Sequence, residues 1–136
     1  RLILTLFGLI FCAVGCLGIS MPHALLEPVE LTVTAASSLA ELRAAYGGTF
    51  LALGTLALLS RKTLALQGLA LTCLAVALGV FSSARALSMA VDGKPNTFSI
   101  IMHLIEGLGF IITVICLRRA ARLGHPNGDQ EQVGSQ

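Results

Sequence analysis

The sequence predicts an all-α integral membrane protein, a four-helix bundle with both termini on the cytoplasmic side. Three observations carry that prediction. The 136-residue chain is 55% hydrophobic and 12% charged, against roughly 25% charged in a soluble domain, and its mean hydropathy is +0.86. Its apolar residues are gathered into four runs, each close to the roughly 20 residues a bilayer span requires. Its nine basic residues divide six against three when four spans alternate across the membrane. A net charge of +2 is too small to point to nucleic acid.

The first run, residues 2–20, carries no charge. It is longer than the roughly 7–15 apolar residues of a secretory signal, and no clean A-x-A site follows it. It is therefore expected to be a retained span. The chain begins at Arg1 rather than Met, and further residues are expected ahead of it. Residues 44–60 and 63–84 are also uncharged, whereas residues 95–117 contain Glu106 alone. At 1.5 Å per residue these runs reach roughly 25–35 Å, about the thickness of the hydrocarbon layer. They lack the alternation of barrel strands. The expected spans are 2–20, 39–60, 63–90 and 97–117, in one domain of residues 1–123. A polar cytoplasmic tail, 124–136, follows.

Orientation follows from the basic residues. Arg1, Arg61, Lys62, Arg118, Arg119 and Arg122 fall on one side, and Arg43, Arg85 and Lys94 on the other. The six-residue side is expected to be cytoplasmic.

Each connection has its own chemistry. Residues 21–37 are long for a link between spans and only moderately polar. They are expected to lie on the outer surface or over the mouth of the bundle, as a connector or a lid. Ser38-Leu39-Ala40-Glu41 fits a capping box and predicts a helix start near Leu39. Arg61-Lys62 is a tight turn that makes spans two and three antiparallel neighbours. In Asp92-Gly93-Lys94-Pro95-Asn96, Gly93 suits a left-handed position, Pro95 stops the preceding helix, and Asn96 or Thr97 caps the next. Small residues recur at helical spacing as Gly48/Ala52, Gly68/Thr72 and Gly79/Ser83, where membrane helices approach closely.

Cys12, Cys16, Cys73 and Cys116 all lie inside spans and are expected to pack as small hydrophobes. His23, His103 and His125 are too scattered for a metal site. No metal and no cofactor is therefore expected, and no catalytic residue can be named.

Glu106 is the position that demands explanation. A charge near the bilayer centre costs at least a few kcal/mol and is usually paired, neutralised or functional. Glu106 sits roughly 13 Å in from Thr97, with His103 one turn outward on the same face. Arg43, with Tyr46 on its face, and Arg85, with Ser88 and Asp92, lie in the same outer half. Either arginine reaches toward Glu106, Arg43 being the first choice of partner, with Tyr46 as a hydrogen-bond donor. The cluster is thus either a pair that fixes helix register or the lining of a polar cavity.

At these residues the chain resembles a known family. Glu41-Leu42-Arg43-Ala44-Ala45-Tyr46-Gly47-Gly48 is similar to the R-x-x-Y-G-G signature of the bacterial domain-of-unknown-function family four-three-four-five. Arg85 to Ser88, then Asp92-Gly93-Lys94-Pro95, then Glu106, resembles its R-x-x-S…D-G-x-P…E pattern. The resemblance covers spans two to four. It implies a four-span bundle distantly like the DoxX group, some members of which are linked to quinone or thiol redox chemistry. No activity comes with it.

The expected function is that of a small membrane protein of unassigned activity, with the balance against an enzyme. It binds a lipid, quinone or similar amphiphile in the outer half of the bundle, or serves as an accessory subunit in a homo-oligomer or larger membrane complex. A DoxX-like redox subunit is the alternative. An oligomeric transporter or proton channel is the third reading, thinly supported by one carboxylate and no internal repeat.

Overall fold

Four uncharged or nearly uncharged runs can satisfy their backbone groups in hydrocarbon only as helices, and they form four long ones. The computed structural model describes residues 1–123. The expected tail and His125 lie outside the described residues. Helix α1 spans Leu2–Ser20. A crossover follows, made of short α2 (Pro22–Leu26), a 3-10 turn (Glu27–Val29) and an extended stretch. The second span is one rod, Ala36–Lys62. It comprises α3 (Ala36–Leu42), a π-helical segment (Arg43–Gly48), α4 (Thr49–Leu59) and a 3-10 turn (Ser60–Lys62). Helices α5 (Leu64–Val91) and α6 (Thr97–Leu123) complete the chain. There is no strand among the described residues. All four long elements are apolar and long enough to cross a membrane.

Local chemistry explains most boundaries. Pro22 occupies the first turn of α2, where its missing N–H goes unneeded. Helix α5 ends at Asp92, and Gly93 then takes φ +96°, open to glycine without strain. The Ser99 amide donates to Asn96 Oδ1 at 3.0 Å, so Asn96 caps α6. The capping box expected at Ser38 does not form. The helix begins earlier, at Ala36, with no side-chain cap. Alanine carries the lowest helical cost of any residue, so Ala35 and Ala36 let the helix run on upstream.

The helices pack as two antiparallel pairs, α1 with the second span and α5 with α6. Glycine makes the first pair possible. A Cβ on Gly15 would lie 2.5 Å from the Leu51 nitrogen, one on Gly54 2.6 Å from the Cys12 nitrogen, and one on Gly47 2.6 Å from Ile19 Cγ1. The backbones therefore touch along Gly8, Gly15 and Gly18 on one side and Gly47 and Gly54 on the other. The expected Gly48/Ala52 pair does not make this contact: Gly47 and Gly54 do, and Ala52 is exposed. Gly48 faces open space apart from the Arg43 carbonyl at 3.9 Å. Gly68 meets nothing, and its carbonyl accepts the Thr72 hydroxyl at 2.9 Å. Gly79 does meet a neighbouring helix, with a Cβ position 3.1 Å from the Phe110 ring.

The two pairs join at the end bearing the Ser60–Lys62 turn. Leu4, Phe11, Ala57, Ala70, Leu71, Leu74 and Leu78 form the core there. Arg61 reaches Thr5 Oγ1 at 3.2 Å, placing this turn beside the start of α1. Toward the other end the pairs separate. Helix α5 approaches the second span along α4 and hardly at all along Arg43–Gly48. No spanning helix is more than 28% buried over its most apolar window. Leu104, Leu108 and Ile111 of α6 point outward, an exterior suited to acyl chains.

Candidate functional site

The separated ends enclose a cavity. It has a volume of about 410 Å³ and lies between the two pairs, roofed by Leu25, Leu26, Val29 and Leu31 of the crossover. A second concavity of about 480 Å³ adjoins it between the second span and α5, with Ala45, Tyr46, Thr49 and Ala84 at its rim. Those four residues are exposed. The two spaces share one wall: Tyr46, Phe50, Phe81, Arg85 and Glu106.

Five of the six phenylalanines and the only tyrosine line the inner cavity. Three ring contacts run across the site: Phe7–Phe11 at 6.1 Å, Phe11–Phe50 at 5.4 Å and Phe50–Phe81 at 5.8 Å. Such spacings are favourable ring contacts. They link α1, the second span and α5 above the aliphatic core.

The polar groups come from α5 and α6. Arg85 donates from Nε to Glu106 Oε2 at 2.9 Å, and the carboxylate side chain is only 8% exposed. The Arg85 side chain is 32% exposed. Ser82 Oγ and His103 Nδ1 lie 3.1 Å apart. Ser82 is one turn before Arg85 on α5, and His103 one turn before Glu106 on α6. Arg85 and His103 thus both reach about one turn toward the middle of the helix pair, to the level of Glu106 and Ser82. A carboxylate in hydrocarbon needs such a partner.

Arg43 lies elsewhere, and the pairing expected with Glu106 does not form. Its Nε donates to the Ile19 carbonyl at 3.0 Å. Ile19 is in the last turn of α1, where carbonyls lack an intrahelical partner. A guanidinium there satisfies the carbonyl and opposes the negative end of the helix dipole. Arg43 therefore holds the first pair of helices together and does not line the cavity.

Tyr46 sits on the π segment and is about half exposed; its hydroxyl has no protein partner among the described residues. Gly47 is the backbone contact to α1, and Gly48 is its unpacked neighbour. Glu41 is exposed near the start of the second span. Asp92 accepts the Ser88 hydroxyl at 2.7 Å, and with Gly93 and Pro95 it shapes the α5–α6 turn. All four cysteines are free, and no group of three metal-ligating side chains occurs among the described residues.

Three features escaped the sequence reading. One is the π helix at Arg43–Gly48, a form that is rare and frequent at functional sites; two adjacent glycines in mid-span were its only signal. Another is the gathering of phenylalanines, invisible until the helices are placed. The third is Asn96. Besides capping α6 it donates from Nδ2 to the Pro28 carbonyl at 2.9 Å and to Glu30 Oε1 at 3.1 Å, tying the crossover to the α5–α6 turn.

The model of a family described as Domain of unknown function (DUF4345) matches residues 1–117. No curated protein and no solved structure matches the chain.

Proposed function

This chain belongs to the DUF4345 family, whose description assigns no activity, and we propose that it is a multi-pass membrane protein that holds a membrane amphiphile between its two helix pairs. The tail of a lipid, quinone or similar molecule would lie among the phenylalanines. Its head would meet Arg85, Glu106 and Tyr46. The single observation that carries this reading is the lining of the inner cavity. Five of the six phenylalanines, the only tyrosine and the Arg85–Glu106 pair line that one space. A mostly apolar pocket with a few convergent polar groups is the ordinary form of a small-molecule site.

The gap rimmed by Ala45, Tyr46, Thr49 and Ala84 offers lateral entry from the bilayer. The excess of basic residues at the Arg61 end supports a cytoplasmic position for that end. The cavity then faces the outer leaflet, here that of a bacterial plasma membrane.

The test is organic extraction of protein purified in mild detergent, followed by mass spectrometry. Wild type is expected to release a defined amphiphile at near-stoichiometric amount. Met102→Trp, which adds an indole to the cavity wall, is expected to release far less while keeping its melting temperature. Equal release of mixed bulk lipid from both proteins overturns the reading.

A further inference from the structure

We propose that the occupant of this cavity carries an uncharged head bearing a hydrogen-bond acceptor, such as an ester, ketone or ether oxygen, and that anionic lipids are excluded. The proposal rests on the reading of the cavity as an amphiphile site and specifies its ligand.

Charge comes first. Among the described residues, Arg85 and Glu106 are the only charged side chains on the wall of either space, and they are joined at 2.9 Å. Their charges cancel. An anionic head drawn to Arg85 would have to sit beside the Glu106 carboxylate, and in a low-dielectric site like charges at a few Å repel strongly. A cationic head meets the mirror problem, because Glu106 is almost wholly buried and already paired with the more exposed Arg85, which a cation would have to sit beside. Arg43 and Lys94, the other basic residues of this half, lie off the wall, and Arg43 is committed to the Ile19 carbonyl.

Hydrogen bonding narrows the class further. Arg85 uses Nε on Glu106, while its two terminal nitrogens have no protein partner among the described residues. A guanidinium donates and never accepts. The Tyr46 hydroxyl on the opposite rim is a second donor without a partner among the described residues. The site therefore offers donors to a neutral acceptor. Burying those donors without one would cost about 1–3 kcal/mol each, which selects against a plain hydrocarbon. The remaining wall is aromatic and aliphatic and suits a chain.

The chain supplies its own reporter. It contains no Trp and one Tyr, so intrinsic fluorescence comes from Tyr46 at the cavity rim. Two probes with the same dibrominated acyl chain are titrated into the full-length protein in neutral detergent: a monoacylglycerol, and the same chain ended by a phosphate monoester. Bromine quenches the ring when the chain occupies the cavity. The monoacylglycerol is expected to quench saturably at a mole fraction at least about tenfold lower than the phosphate, about 1.4 kcal/mol. In Glu106→Gln the charge of Arg85 is no longer cancelled, and the preference is expected to shrink or reverse. Equal or tighter binding of the phosphate by wild type overturns the neutral-head inference and leaves the amphiphile site standing. So does an unchanged preference in a folded Glu106→Gln. If neither probe quenches saturably, the site itself falls. Should Glu106→Gln not fold, the wild-type comparison decides alone.

Discussion

Arg85 and Glu106, 21 residues apart in the chain, meet at 2.9 Å across the α5–α6 interface and form the charged corner of a mostly apolar cavity. The contact joins a partly exposed donor to a buried acceptor. Its worth therefore lies above that of a surface pair, and its loss is felt mostly by the stranded carboxylate.

Removing either partner is expected to cost about 1.5–3 kcal/mol, the range of a charge-assisted hydrogen bond. Arg85→Ala and Glu106→Ala should each lower the melting temperature in detergent, and the double variant should lose clearly less than the sum. Arg43→Ala combined with Glu106→Ala should be additive, because Arg43 serves the end of α1. Additive losses for Arg85 and Glu106 would show that the two side chains do not interact.

The glycine interface makes a graded prediction. Gly15→Ala, Gly47→Ala and Gly54→Ala put a methyl within 2.5–2.6 Å of the facing helix, with backbone among the crowded atoms. Each should cost about 1–3 kcal/mol, as overpacking does. Gly68→Ala, in open space, should be neutral or stabilising by up to about 1 kcal/mol. Melting temperatures of the four variants check this, and equal effects at Gly47 and Gly68 would contradict the interface.

Much of this was legible before any coordinates. The four spans follow from charge-free runs, and Gly93 and Asn96 were readable as turn and cap because each solves a local backbone problem. Glu106 was readable as buried because a carboxylate cannot face lipid. Its partner was not. Arg43 and Arg85 sit at similar depth, and only the approach of α1 shows that the Ile19 carbonyl claims Arg43. The capping box failed because upstream alanines extend the helix more cheaply than Ser38 starts one. The π turn and the phenylalanine wall depend on helix rotation, which uniformly apolar sequences do not encode in any visible face.

Asn96 has two separable roles. Asn96→Asp keeps the oxygen that caps α6 but loses the donor to Pro28 and Glu30. Asn96→Ala loses both and should cost about 1 kcal/mol more. Both variants should raise hydrogen exchange across Pro22–Val29, while the start of α6 is exposed only in Asn96→Ala. Unchanged exchange in the crossover would mean that these bonds do not hold it.

Orientation is tested by single cysteines in a background freed of the native four. Positions 94 and 62 lie at opposite ends of α5. A membrane-impermeant maleimide added outside should label 94 and spare 62. The reverse pattern would invert the protein and move the cavity to the inner leaflet.

A structure determined in lipid nanodiscs tests the amphiphile site most directly. It should show elongated density among Phe11, Phe50, Phe81 and Phe98, its polar end within about 3.5 Å of the Arg85 guanidinium or the Tyr46 hydroxyl. The two helix pairs closed onto each other over the Phe11–Phe50–Phe81 contacts, with the cavity gone and no density between them, would contradict it.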